Sequence, residues 1–366
     1  MPVRRIRALV LAAGLGTRLR PLTELLPKPL LPVRGVPILG HTLTQLAALG
    51  CEAAAVNLHY LGEQIRQRFG DAHAGMPLTW SDEPELLGTL GALHPLKGFF
   101  APADLVLLVN GDSLCRWPLR RLVRRHLAGR AAATLLLSSR ADPAVFGGGV
   151  GVDRSGRLLS LRPGDPERGE VVRRYVFAGA HVVSPDLLAR VGPAKADIVR
   201  DLYIPMLEAG ERIDSVVFAG RWHDLGTPQR FLDATLDWAR AEGPERLWRR
   251  SWISPEAGLG AGAQVRSASI EAGARVGEGA RVERSILLPG ARVGKGCVVR
   301  ESILGFGAAV PPGTWVERRI IMPQLAGFSP GLDDSVVGGA IYTPFGRDDR
   351  DDRDGRDGRD GRDGEG

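Results

Sequence analysis

Lysine is nearly absent from this chain. Of its 48 lysine and arginine side chains only four are lysine: Lys28, Lys97, Lys195 and Lys295. A position that only needs positive charge is served here by arginine, so a lysine inside a glycine-rich, proline-bracketed loop stands out. Its ammonium meets an oxyanion as a compact point charge, whereas a guanidinium is a planar fork. Cysteine is also scarce. Cys51, Cys115 and Cys297 are widely separated and have no metal-ligand spacing, which argues against a disulfide framework and for a reducing compartment, the cytoplasm. No apolar run approaches the roughly 20 residues of a bilayer span, so no membrane partner is expected. The start, "MPVRRIRALVLAAGLGTRLRP", imitates a signal peptide, but its short apolar run enters a Gly/Arg loop as a first buried strand would. The formal charge of +6 invites a nucleic-acid reading. The arginines are scattered, however, with no basic stripe interleaved with aromatics, and nucleic acid is not an expected partner.

What is present divides into two grammars. The length of 366 residues allows two domains, each with its own core. Residues 1–240 alternate strand-like and helix-like segments. "RALVLAA" and "ADLVLLVNGD" are continuous apolar runs of the buried parallel type, "CEAAAVNL" is a further strand, and "PILGHTLTQLAALG" and "LGEQIRQRFG" carry helical spacing to a terminal glycine. This pattern predicts a Rossmann-like α/β domain with a mainly parallel sheet and a ligand crevice at the carboxyl ends of its strands.

From Ile253 onward the period changes. Apolar residues at 253, 259, 265, 270, 276, 282, 287, 293, 299, 304, 310 and 316 recur in steps of six, six and five. Each group of three advances 17 residues, which fits about four stacked triangular coils over 253–320: a left-handed hexapeptide-repeat β-helix. Residues 241–252 read as a linker and 321–345 as a weakly structured extension. The Arg/Asp/Gly tail, 346–366, has no apolar residue and is expected to be disordered.

The chemistry is expected in the loop after the first strand, "LAAGLGTRLRPLTELLPKPLLPV". It is neither a dinucleotide fingerprint, since Leu19 replaces the third glycine, nor a Walker A loop. It remains a Gly-x-Gly turn whose N–H groups can converge on phosphate oxygens, with Arg18 and Lys28 as fixed charges on a proline-stiffened segment. Such a loop suits phosphoryl or nucleotidyl transfer, where positioning and charge stabilisation dominate. Asp112 in "LVNGDS" and Asp224 in "GRWHDLGTP" are two oxygen ligands for a Mg²⁺ bridging substrate phosphates. His223 is taken as a packing residue. Glu85 in "EPELLGTLGAL" favours GTP, because a carboxylate only accepts and guanine offers two adjacent donors.

The first loop together with "PIL", "LLGTLGAL", "VNGD" and "WHDLGTP" resembles the sugar-1-phosphate nucleotidylyltransferases. With the coils behind it, the chain looks most like the mannose-1-phosphate guanylyltransferase branch, over residues 5–320. The resemblance implies that Leu11, Ala12, Ala13, Gly14, Gly16, Thr17 and Arg18 wrap the nucleotide. It implies further that Arg18 steadies the pyrophosphate, Lys28 binds a phosphate, Gly88 lies against the base, and Asn110 and Gly111 adjoin the nucleotide. Asp112 and Asp224 would hold Mg²⁺. The reaction implied is in-line attack of a sugar-1-phosphate on the α-phosphorus of an NTP, with Arg18, Lys28 and Asp112 as the catalytic set. The family commonly carries Glu-Lys-Pro where this chain has Leu161-Arg162-Pro163, which leaves Arg162, with Gly148 and Gly149, as candidates for the sugar side and puts the identity of the sugar in doubt. The competing readings are a uridylyl- or thymidylyltransferase acting on glucose-1-phosphate or an amino sugar, and a silent nucleotide-sugar-binding regulator. An additional acyltransferase activity of the coils is disfavoured, because none of the seven histidines lies in them. A homo-oligomer formed through the β-helix is expected.

Overall fold

The computed structural model describes residues 4–165, 169–240, 251–324 and 330–346. The expected linker, but for its last two residues, and the charged tail beyond Gly346 lie outside the described residues. In space the chain divides after Gly226 into two units.

The first unit is built on a mainly parallel sheet. Strand β1 (Ile6–Leu11) lies between β2 (Ala53–Leu58) and β4 (Leu105–Asn110), parallel to both, and β3 (Met76–Asp82) extends the sheet beyond β2. Alternate residues of these continuous apolar runs enter two cores, one on each face. Ala8, Val10, Leu107 and Val109 pack with Leu39, Leu43 and Leu46 of helix α1 (Ile38–Leu49). Leu9, Val106 and Leu108 pack on the other face with Phe100, Leu202 and Tyr203. Burial on both faces explains why the runs are uninterrupted rather than alternating. Three of the strands depart from the parallel pattern: β5 (Ser113–Cys115) and β9 (Trp222–Asp224) pair antiparallel with each other, and β7 (Arg173–Val183) runs against both β4 and β6 (Ala133–Ser138). Parallel β8 (Ile213–Phe218) follows β6. Within the second core His181 lies 2.5 Å from the Tyr203 hydroxyl, and burial pushes its pKa down to about 3.

The second unit begins with helix α2 (Pro228–Arg240), which the sequence pattern placed in the first domain and which groups in space with the coils. Its Asp233 accepts a hydrogen bond from Arg284 at 3.2 Å. The coils themselves form three ladders of short parallel strands, and all twelve in-phase apolar positions lie on them. Ile253, Ile270, Leu287 and Leu304 stack rung on rung along one ladder. Within 321–345, expected to be weakly structured, the described residues include strands. Arg319–Pro323 supplies a fifth rung to that ladder, and Ala340–Pro344 closes antiparallel on it, followed outward by Ser335–Val337. Ile320, Ile321, Met322, Ile341 and Tyr342 are buried there. The segment's first strand keeps the 17-residue phase, with Ile321 paired to Leu304, and the phase ends at the antiparallel strands that follow. Along a second ladder the outward residues Arg266, Glu283, Arg300 and Glu317 face one another in register, so their charges alternate in sign.

Candidate active site

The glycine loop leaves β1 at the carboxyl edge of the sheet. Its first N–H, of Ala12, is taken at 2.8 Å by the Asn57 side chain from the end of β2, and the Gly111 N–H donates to the Leu11 carbonyl from the end of β4. Gly16 has a left-handed backbone, φ +64°, and a Cβ there would come within 3.1 Å of Thr23 and 3.4 Å of Lys28. Thr23 returns a hydroxyl hydrogen bond to the Gly16 carbonyl. The loop is therefore folded tightly over the segment that bears Lys28. Pro27 starts the short turn Lys28–Leu30, and the Lys28 side chain is only 8% exposed. Its ammonium donates to Asp112 Oδ2 at 2.9 Å. A proline-stiffened lysine from the loop after β1 and a carboxylate just past the end of the adjacent strand β4 thus meet at the crevice.

That crevice is a cleft of about 530 Å³. Of the expected nucleotide residues, Leu11, Ala12, Ala13, Gly14, Gly16, Thr17, Arg18, Lys28, Gly88 and Asn110 line it, and so does Asp112, expected as a catalytic and metal-holding residue. Gly111 does not. It is buried beneath, where a Cβ would come within 2.9 Å of Val10 and 3.1 Å of the Leu11 carbonyl. Asp224 does not itself line the cleft, but it lies beside residues that do. β9 pairs antiparallel with β5, so Asp224 sits opposite Ser113, the residue after Asp112. Gly226 lines the cleft, and a Cβ on it would approach Arg18 to 2.8 Å and Asp224 Oδ2 to 3.0 Å. Asp112, just before β5, and Asp224, the last residue of β9, are carboxylates of a kind that fits a hard cation taking its remaining oxygens from phosphates and water. Among the described residues no cluster of three or more metal-ligating side chains exists, so the protein alone does not make a full cage. His223 is half-buried on β9.

Two charged cleft residues were not expected. Glu85 is exposed and does not line the cleft. Glu83, two positions earlier and 3% exposed, does. Its carboxylate accepts from the Asn57 amide at 2.8 Å and from the Leu87 N–H at 2.9 Å, which links the glycine loop to the segment before Gly88. The signal was available: Glu83 follows the last residue of β3, at the same carboxyl edge as Asn57 and Asn110. The strand ends at Asp82, and Glu85, beyond Pro84, is exposed. The other is Lys195, an exposed residue on the cleft wall. Its segment is held against Gly88, whose Cβ, if present, would come within 2.5 Å of the Ala196 carbonyl.

The sugar-side candidates come together, though outside this cleft lining. A Cβ on Gly148 would overlap Pro163, and one on Gly149 would come within 2.8 Å of the Tyr175 carbonyl. Leu161 is buried in the second core, while Arg162 is exposed. The backbone N–H groups of both donate to Asp165 Oδ2, at 3.1 and 2.7 Å.

Comparison with known proteins agrees with this geometry. The model of the nucleotidyl transferase family matches residues 7–241, and that of a GlmU-like C-terminal hexapeptide domain matches residues 240–318. A mannose-1-phosphate guanylyltransferase of Mycobacterium tuberculosis is 32% identical over 291 residues, 75% of this chain and 79% of its own length. A probable mannose-1-phosphate guanylyltransferase 2 of Arabidopsis thaliana is 28% identical over 253 residues, 66% of this chain and 68% of its own.

Proposed function

Since the chain belongs to the nucleotidyl transferase family, we propose that it joins an NTP, GTP, to a sugar-1-phosphate, mannose-1-phosphate, releasing pyrophosphate. The observation that carries this is the Lys28–Asp112 pair set under a glycine loop at the carboxyl edge of the sheet. A phosphate oxygen of the sugar-1-phosphate forms a bond to the α-phosphorus as the bond from that phosphorus to the bridging β-phosphate oxygen breaks. The nucleophile is already an anion, so no proton is moved and no general base is needed.

The loop N–H groups and Arg18 hold the phosphates, and Lys28 stabilises charge at the reacting centre as a fixed cation. Asp112 and Asp224 would hold Mg²⁺, which neutralises charge on the phosphates. Glu83 takes over the role expected of Glu85. Each of its oxygens holds one donor, and a carboxylate has about four acceptor sites, which leaves capacity for the two donors on the guanine edge. The three free, buried cysteines support an address in the cytoplasm, and we propose that the coils serve assembly into a homo-oligomer.

The decisive experiment sets four NTPs against several sugar-1-phosphates and reads pyrophosphate release. GTP with mannose-1-phosphate should give the highest kcat/KM. Preference for UTP or dTTP would overturn the guanine assignment, and absence of turnover with every pair would overturn the enzyme reading.

A further inference from the structure

A transfer between two anionic substrates needs cationic contacts for both. Arg18, Lys28 and Lys195 line the cleft, against the carboxylates Glu83 and Asp112. Lys28 is paired with Asp112, and Arg18 lies beside Asp224 at Gly226. Both belong to the loop that follows β1 and to its metal-side neighbours. Lys195 comes from a different part of the chain. Among the described residues no hydrogen bond or ion pair engages its ammonium, whereas Lys295 on the coils is paired with Glu278 at 3.0 Å.

The backbone on either side of Lys195 is nevertheless fixed. The Ala196 carbonyl accepts from Leu90 and Gly91, the Ala196 N–H donates to Leu87 at 2.9 Å, and Thr89 bonds both Asp197 and the Ile198 N–H. Lys195 is thus an exposed lysine on an anchored backbone at the cleft wall, and among the described residues its ammonium has no partner. Scarcity applies to it as to Lys28: in a chain that uses arginine almost everywhere, two of four lysines line one cleft. Arg162, the cation expected to meet the sugar phosphate, is exposed and does not line that cleft.

We infer that Lys195 is the cation that receives the phosphate of the second substrate, the sugar-1-phosphate, an inference that rests on the transfer reaction proposed above. It forms a point-charge contact from the wall that also carries Gly88, so the two substrates are gripped by different cations.

Steady-state kinetics of Lys195→Met and Lys195→Arg against wild type test this. Lys195→Met should raise KM for the sugar-1-phosphate at least tenfold and leave KM for the NTP within twofold, and Lys195→Arg should recover most of that loss. In the reverse direction, KM for the nucleotide sugar should rise while KM for pyrophosphate stays unchanged. An equal rise in the NTP or pyrophosphate KM, or no change in the sugar-1-phosphate KM, overturns the assignment. If wild type uses a different NTP or sugar, the proposed substrate pair fails, and the same variants measured with the pair it does use still decide Lys195. If wild type turns over no pair, calorimetric titration with mannose-1-phosphate decides it: equal affinity in wild type and Lys195→Met overturns the inference.

Discussion

Gly88 and Gly273 share a left-handed backbone, φ +75° and +69°, and little else. Gly88 stands in the nucleotidyl transferase unit, where a Cβ would be driven to 2.5 Å from the Ala196 carbonyl. Gly273 turns a corner of the coils, and the nearest atom to its Cβ position is the Gly290 nitrogen at 3.8 Å. The first glycine allows two distant segments to touch once. The second is one copy of a corner repeated along a stack. In one unit a residue matters because nothing else resembles it, and in the other because its neighbours do.

The sharpest way to test that contrast is at Lys28. Lys28→Arg keeps the charge, but a longer planar head beside Asp112 misplaces the reacting phosphates, and misplacement of about 1 Å costs on the order of 10²-fold in rate. A fall of that size in kcat/KM, with Tm almost unchanged, is expected. Near-normal turnover would make Lys28 an ordinary charge.

The glycine pair comes next. Gly88→Ala should lower kcat/KM more than tenfold, since both the backbone conformation and the contact with Ala196 must give way. Gly273→Ala should leave kcat/KM unchanged and cost about 1–2 kcal/mol of stability in calorimetry, the price of a left-handed backbone with a Cβ. Equal loss of activity in both would dissolve the distinction.

Acid should separate the units in the same direction. All seven histidines precede Gly226. His181 and His126 are held neutral by burial, with folded pKa values below the usual one. Each stabilises most above the unfolded pKa near 6.5, and that contribution is lost as pH falls toward the folded value, by up to about 1.4 kcal/mol per pH unit for each proton. The calorimetric transition of the first unit should therefore move down between pH 7 and 5 while that of the coils stays. Movement of the coil transition alone would contradict this assignment.

The smallest effect is expected on the coil surface. Glu283→Lys places like charges beside Arg266 and Arg300 in the ladder, which should cost about 0.2–1 kcal/mol in melting experiments and nothing in kcat/KM.

The same contrast governs what could be read in advance. The coils were legible almost entirely, because a period declares itself at twelve positions; the antiparallel strands Ser335–Val337 and Ala340–Pro344 escaped, having no period to share. The first strand, its loop, Lys28 and Asp112 were legible because glycine, proline and a rare lysine fall close together in sequence. Lys195 carried the same rarity, but "VGPAKAD" surrounds it with no motif, and the bonds joining Ala196 to Leu87 and Leu90 are long-range facts. Glu83 and Glu85 differ by two positions in an acidic stretch, and only the end of β3 decides which carboxylate faces inward.

The alternating column Arg266, Glu283, Arg300, Glu317 gives the stack a parity. Identical coils are interchangeable, so hydrophobic packing alone tolerates a chain that skips one during folding. With this column, a single skipped or deleted inner coil brings arginine onto arginine or glutamate onto glutamate, whereas the loss of two neighbours restores the alternation. The domain should accordingly lengthen or shorten by pairs of coils more readily than by one, as a frame counted in twos.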